Sequence, residues 1–146
     1  MTGTAAYQVR RALAQSEMTQ ALDLRHEVFC VEQGVPEREE LDGRDHEGIH
    51  LVALAGSRVL GTCRVLLVGS TAQFSRLAVR QEVRRRGIAT ALLELADEVT
   101  RDAGGRRMVL HAQTYAQELY ERAGYEPRGR VFVEAGIEHV AMEKHL

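Results

Sequence analysis

Three β-rich runs in the first half of the chain constrain its fold more than any other feature of the sequence. They cover residues 49–55, 59–68 and 71–79, and the pairs Gly56-Ser57 and Gly69-Ser70 separate them. Two residues that include a glycine, placed between β-rich runs, are typical of tight hairpin turns. The sequence therefore predicts an antiparallel meander of three strands.

A short strand and a helix are predicted before this meander. Residues 6–13 have the pattern of an edge strand, and Ser16 is a suitable N-cap for a helix that ends near Cys30. Residues 32–47 then hold seven carboxylates against two arginines and contain the helix breakers Gly34, Pro36 and Gly43. This segment is predicted to be an irregular acidic loop on the surface.

Helices alternate with strands after the meander. A long helix is predicted from apolar residues at the spacing of one helix face, which are Ile88, Leu92, Leu95 and Val99. Gly104-Gly105 is predicted to end this helix. The predicted segments that follow are a strand over 108–112, a helix over 115–123, and strands over 125–133 and 137–144. This order predicts an α/β fold, with a mixed, mostly antiparallel sheet of about seven strands flanked by three or four helices.

Size, composition and charge indicate the class of protein. The 146 residues, with 45% apolar and 27% charged side chains, fit one folded domain over residues 1–146. A formal charge of −2 provides no basic field for nucleic acid or an anionic membrane. Cys30 and Cys63 form no CxxC pair, and neither a secretory pattern nor a membrane-spanning run is present. We expect a cytoplasmic protein with free thiols that binds neither nucleic acid nor a membrane.

The turn between the third β-rich run and the long helix is the most informative segment. It reads Arg84-Arg85-Arg86-Gly87-Ile88-Ala89. The free N–H groups and the dipole of a helix N-terminus attract phosphate, and Gly87 lets the backbone approach it closely. Because the Walker and Rossmann glycine patterns are both missing, a different phosphate-bearing ligand is expected. A plain turn glycine beside solvated arginines is the alternative.

Two motifs in the sequence resemble the GNAT superfamily of N-acetyltransferases. Residues 84–89 match the family's coenzyme A motif, Gln/Arg-x-x-Gly-x-Gly/Ala, which follows a bulged strand and opens a helix. Residues 116–125, which read AQELYERAGY, look like the family's later helix with its tyrosine and its Gly-Phe/Tyr end. Val31-Glu32-Gln33 and residues 134–139 further resemble a subgroup of small bacterial members. A shorter resemblance to acyl-homoserine lactone synthases is the remote alternative.

The resemblance implies an enzyme that moves an acetyl group from acetyl-CoA to a primary amine by direct attack in a ternary complex, without a metal. Pantetheine and the acetyl oxygen would be held near Leu77, Ala78 and Val79. The pyrophosphate would be held by Arg84, Arg85, Arg86, Gly87, Ile88, Ala89 and Thr90. Gln113 stands where many members have an asparagine that binds pantetheine. A non-catalytic acyl-CoA-binding sensor is the alternative from another class.

Proton transfer would involve residues from separate parts of the chain. Tyr120 stands at the family's position for the acid that protonates the CoA thiolate, with a packed core tyrosine as the alternative. Glu32 and His139 rank first as the base, ahead of His111 and Glu134, and each could instead be a hydrogen-bonded structural residue.

The expected acceptor is a small-molecule or peptide amine, and the acidic loop favours a cationic one. A homodimer is a further option.

Overall fold

A computed structural model describes residues 7–146, which form a seven-stranded sheet with helices on both faces. The strands are β1 (Gln8–Arg11), β2 (Ile49–Ala55), β3 (Arg58–Val68), β4 (Thr71–Val79), β5 (Arg107–Gln113), β6 (Glu126–Glu134) and β7 (Ile137–His145). In space they follow the order β1-β2-β3-β4-β5-β7-β6, and every neighbouring pair is antiparallel except β4 and β5. The predicted fold class is confirmed.

The meander has the predicted bounds to within one residue. Gly56 and Gly69 both have positive φ angles, of 60° and 63°, in the turns that join its strands. Glycine adopts this left-handed conformation without the steric penalty that other residues meet. The two Gly-Ser pairs therefore determine where each hairpin reverses.

Helices cover both faces of this sheet. The α-helices are α1 (Gln15–Arg25), α2 (Glu37–Glu40), α3 (Ile88–Asp102) and α4 (Gln117–Arg122). Along β2, Leu51 and Ala53 belong to the core beneath α3, whereas Val52 and Leu54 belong to the core beneath α1. Because successive side chains of a strand point to opposite faces, β2 is covered on both sides and is apolar apart from His50.

The start of α1 differs from the prediction. The helix begins at Gln15 with Ala14 as its N-cap, so Ser16 lies inside the first turn and does not cap it. Glu17 reaches back instead, and its Oε1 accepts hydrogen bonds from the N–H groups of Leu13 at 2.8 Å and Ala14 at 3.3 Å. A glutamate at the third helical position can thus bond backbone N–H groups that precede the helix, whereas a capping serine would bond N–H groups of its first turn.

A π-helical stretch, His26–Glu32, continues the chain directly from α1. The N–H of Gln33 donates to the carbonyl of Val28, five residues earlier, at 3.2 Å. The helical region thus ends after the predicted position near Cys30, because a wider turn takes up extra residues that a 3.6-residue pattern does not reveal. Wide turns of this kind are frequent at functional sites.

The acidic segment is more ordered than the prediction of an irregular surface loop. It contains α2 and a 3-10 turn, Asp45–Glu47, and the side chain of Glu40 is buried. Arg25, which is also buried, donates to Glu40 at 2.9 Å. Because an unpaired buried charge costs several kcal/mol (~3–5), each of these two groups requires the other. The prediction was wrong for Glu40 because the partner arginine lies on another element.

Candidate active site

A cleft opens where β4 and β5 diverge. These parallel strands pair only over three residues each, from Thr71↔Arg107 to Gln73↔Val109, and beyond them no further pairing joins the two. β4 is also bulged. Ser75 pairs with Arg64 and Ala78 pairs with Thr62, so the two residues of β4 between these pairs stand opposite a single residue of β3. A cleft of about 1550 Å³ lies between the separated strand ends.

The turn before α3 forms one wall of this cleft. Gly87 is the N-cap, with a φ angle of 85° and no capping side chain. The first hydrogen bond of α3 runs from the N–H of Ala91 to the carbonyl of Gly87 at 3.0 Å, so the N–H groups of Ile88, Ala89 and Thr90 precede the helical ladder. We name residues 84–90 the cofactor turn. Its free N–H groups and its dipole suit an anion.

Most of the residues predicted to bind the cofactor line the cleft. They are Leu77, Ala78, Val79, Arg84, Arg85, Gly87, Ile88, Ala89, Thr90 and Gln113. Arg86 is exposed and lies outside the lining, so two of the three adjacent arginines border the cleft. The side chain of Ile88 is almost fully buried in the core, which anchors the start of α3 while its backbone N–H remains at the wall.

Arg84 and Glu32, which were predicted for different roles, form one ion pair. The Arg84 guanidinium donates to the two carboxylate oxygens of Glu32 at 2.7 and 2.9 Å, and its Nε donates to the carbonyl of Val79 at 3.0 Å. These bonds to Glu32 raise the pKa of Arg84 above its ordinary value. Without a ligand, therefore, neither side chain is free for the role that the sequence suggested.

The next residue, Gln33, bridges to the opposite wall of the cleft. Its amide exchanges two hydrogen bonds with that of Gln113, at 2.9 and 3.3 Å, and donates to the hydroxyl of Tyr115 at 3.4 Å. Glu32 and Gln33, which we name the strap, thus connect the cofactor turn to the end of β5. Sequence reasoning missed this role of Gln33, because no periodicity or motif signals an amide pair 80 residues apart.

Tyr120 lies on the floor of the cleft and is 8% exposed. Its ring packs edge-on against Phe74 and Tyr125, with centroids 6.3 and 6.0 Å away. Burial raises the pKa of the Tyr120 hydroxyl above its ordinary value, so the group is protonated at neutral pH. Within residues 7–146 this hydroxyl makes no side-chain or backbone hydrogen bond, and it is therefore available to a ligand.

Two histidines and a glutamate meet on the last three strands. His111 Nδ1 lies 3.0 Å from Glu134 Oε1, and His139 Nε2 lies 3.9 Å from Glu134 Oε2. Phe132 stacks on the His139 ring and meets His111 edge-on. We name His111, Glu134 and His139 the histidine–glutamate cluster. All three line the cleft, so the structure brings together three of the four residues predicted as base candidates.

The tautomer of His139 follows from its hydrogen bond. Its Nδ1 lies 2.7 Å from the carbonyl oxygen of Ile137, which can only accept a hydrogen bond. Nδ1 therefore carries the proton in the neutral ring, and Nε2 keeps its lone pair. A buried imidazole with a free Nε2 at the wall of a cleft can accept a proton.

Arginines neutralise most of the acidic segment. Five of its seven carboxylates are ion-paired: Glu32 with Arg84, Glu40 with Arg25 and Arg76, Asp42 with Arg64 and Arg76, Asp45 with Arg25 and Arg64, and Glu47 with Arg44. Arg64 is 2% exposed, although it stands in an apolar strand. The sequence indicates this network of ion pairs only by the position of Arg64, a charged residue inside a β-rich run. The segment consequently provides little free negative charge to attract a cation.

Over residues 7–146, no helix has the length and apolar character needed to cross a membrane. The same residues contain no group of three or more histidine, cysteine, aspartate or glutamate side chains arranged to hold a metal ion.

Comparison with known proteins identifies the family. The sequence profile described as an acetyltransferase (GNAT) domain matches residues 13–146. The protein YyaT of Bacillus subtilis (strain 168) is 30% identical over 141 residues, which cover 94% of this chain and 95% of YyaT.

Solved structures agree with this match. An acyl-CoA N-acyltransferase from Pseudomonas aeruginosa is similar with a TM-score of 0.82 and 29% identity, over 94% of this chain and 97% of that one. An acetyltransferase from Bacillus subtilis in complex with CoA shares the fold at a TM-score of 0.75 and 16% identity, over 96% and 99% of the two chains. Profile, sequence relative and fold lead to one conclusion: the chain belongs to the GNAT acetyltransferase family and is an acetyl-CoA-dependent acyltransferase.

Proposed function

We propose that this protein transfers the acetyl group of acetyl-CoA to a primary amine of a small molecule or peptide, by direct attack within a ternary complex. The observation that supports this proposal is the composition of one cleft. A helix N-terminus suited to a pyrophosphate borders it on one side, and a protonated tyrosine and a histidine with a free lone pair border it elsewhere. Both reactants can therefore meet without an acetyl-enzyme intermediate.

The cofactor turn and the bulge of β4 would hold acetyl-CoA. The pyrophosphate would accept hydrogen bonds from the N–H groups of Ile88, Ala89 and Thr90. Arg85 would add positive charge, as would Arg84 once it leaves Glu32. The bulge interrupts the pairing of β4 with β3, which leaves backbone groups near Leu77 available for pantetheine and the acetyl oxygen. Gln113 would reach the pantetheine arm once it leaves Gln33.

Tyr120 would act as the acid and His139 as the base. The amine nitrogen attacks the thioester carbon, the carbon–sulfur bond breaks, and the Tyr120 hydroxyl protonates the departing thiolate. His139 Nε2 accepts one proton from the amine, and a second amine proton restores the Tyr120 hydroxyl. We favour His139 over Glu32 because the carboxylate of Glu32 is engaged by Arg84 on both oxygens.

Two measurements test this function. Acetyl-CoA should raise the thermal unfolding temperature more than ATP does, because a ligand that binds only the folded state stabilises it by mass action. A panel of amino acids, peptide amines and aminoglycosides, assayed by release of the CoA thiol, should identify an acceptor. Binding of acetyl-CoA without thiol release for every amine would instead favour a non-catalytic sensor.

Replacement of His139 tests the base directly. His139→Asn should lower kcat/KM on the order of 100-fold or more, since general base catalysis typically contributes about 10²- to 10⁴-fold. His145→Asn is the matched control, because His145 lies near the end of the same strand and outside the cleft lining. Equal activity of the two variants would remove His139 from the mechanism.

A further inference from the structure

The proposed reaction releases one proton that must leave the active site. A protonated amine begins with three hydrogens on nitrogen. The amide product keeps one of them, and the CoA thiol accounts for a second. The third goes to the base and from there to solvent. A buried base therefore needs an exit for its proton.

The geometry of His139 allows only one exit. The side chain is 8% exposed, and its Nδ1–H donates to the carbonyl of Ile137 at 2.7 Å. A proton can thus enter and leave only at Nε2, which faces Glu134 Oε2 at 3.9 Å. A small rotation of the glutamate side chain would shorten this distance to that of a hydrogen bond.

Glu134 lies between this buried ring and solvent. It ends β6 at the turn into β7, and its side chain is 50% exposed. Its other oxygen, Oε1, accepts a hydrogen bond from Nδ1–H of His111 at 3.0 Å, and His111 is itself 44% exposed. The carboxylate is therefore held in one orientation, with one oxygen towards His139 and access to water.

We propose that Glu134 is a positioning residue that stabilises protonated His139 and passes the released proton to solvent, while His111 orients its carboxylate. This proposal rests on His139 being the base. Titratable groups on the elements packed against β7 include His111 of β5 and Tyr115 of the 3-10 turn Thr114–Ala116. Tyr115 is exposed and its hydroxyl accepts from Gln33. Among residues 7–146, Glu134 has the carboxylate that lies within 4 Å of the His139 ring, where it can stabilise the protonated form.

The pH profile of Glu134→Gln tests the proposal. The acid limb of the kcat/KM profile should move to lower pH by about 0.5 to 1 unit. Two opposite charges about 4 Å apart attract each other by about 1 kcal/mol in a medium as polar as water, and that energy corresponds to a pH interval of this size. Glu118→Gln is the matched control, since Glu118 also lines the cleft and is exposed and ion-paired, but with Arg122. An unchanged acid limb in Glu134→Gln, or an equal shift in both variants, would overturn the proposal.

A readout without turnover separates this proposal from the proposed function. Ring ¹⁵N spectra of the free protein, assigned with His111→Asn and His139→Asn, report the pH at which the His139 ring is half protonated. That pH should fall in Glu134→Gln and return towards the parent value in Glu134→Asp, which restores the charge. No change in Glu134→Gln would contradict the role of Glu134 even if His139→Asn is inactive, whereas an active His139→Asn would contradict the base.

Discussion

The two walls of the cleft are built in opposite ways. The cofactor turn comes from seven consecutive residues at the start of one helix, and its free N–H groups arise from the backbone alone. The histidine–glutamate cluster takes one residue from each of three strands, and it exists only because the register places Gln113 beside His139 and Phe132 on its other side. A ligand site made of consecutive backbone can be recognised in a sequence, whereas a site assembled across strands depends on how the sheet pairs.

The largest expected effect comes from Tyr120, which belongs to a motif recognisable in the sequence and lies on the floor of the cleft. Tyr120→Phe should lower kcat on the order of 10²- to 10⁴-fold with little change in acetyl-CoA affinity, because only the proton donor is deleted. The hydroxyl makes no hydrogen bond among the residues described, so the ring packing remains. Steady-state and single-turnover acetyl transfer measure the effect.

Tyr125→Phe is the control for this prediction. Tyr125 is also buried, packs edge-on against Tyr120, and does not line the cleft. Its kcat should stay within about twofold of the parent, as for a substitution away from the reacting atoms. If single-turnover transfer survives Tyr120→Phe unchanged, the acid is another group.

Gly87→Glu probes the wall that consecutive residues build. A side chain at a φ of 85° is strained, and its charge would stand where the pyrophosphate is expected. Acetyl-CoA affinity should fall on the order of 100-fold, about 2.7 kcal/mol, when measured by calorimetry. Gly104→Glu is the matched control, because Gly104 has a φ of 90° and follows the other end of α3. A variant at Gly87 that binds as well as the one at Gly104 would show that the site is misplaced.

Glu32→Gln distinguishes the two roles considered for Glu32. If Glu32 only holds Arg84, the variant frees the guanidinium for the cofactor, and acetyl-CoA affinity should rise about two- to fivefold, which is the scale of a partly exposed ion pair. The kcat should hardly change. Glu82→Gln, which breaks the exposed Arg58–Glu82 pair, should leave affinity as it is. A loss of kcat on the order of 100-fold would instead make Glu32 the base.

The smallest expected effect concerns the acidic segment and its dependence on pH. Hydrogen bonds from Arg64 hold the pKa of the Asp42 carboxyl well below its usual range. A carboxyl with a lowered pKa in the folded state stabilises the protein above the ordinary aspartate value of about 3.9 and loses that contribution as pH falls. Asp42→Asn should lower the free energy of unfolding at pH 7 by about 1 kcal/mol.

Urea unfolding at pH 7 and at pH 3.5 checks this prediction. The difference between parent and Asp42→Asn should narrow at pH 3.5, because the unfolded parent then takes up a proton that the folded form does not. A difference that stays constant between the two pH values would mean that the Asp42 charge contributes nothing through Arg64.

Much of the fold could be predicted because its signals are local. Gly56 and Gly69 mark the hairpin turns, the apolar spacing of α3 predicts its buried face, and the bounds of β2 and β4 follow from the β-rich runs. Where a competing partner exists, the local signal misleads. Ser16 was predicted as the cap of α1, but Glu17 provides the capping bonds while it also pairs with Arg10.

The sequence by itself determined the α/β order of elements, the family, and the glycine turn that heads α3. Only the tertiary structure decided that Glu32 pairs with Arg84, that Gln33 meets Gln113, and that Glu134 stands between two histidines. The physical reason is how far apart along the chain the interacting residues lie. Backbone conformation and helix ends depend on a few neighbouring residues, whereas ion pairs and ring tautomers depend on atoms that strand register and the divergence of β4 from β5 bring together.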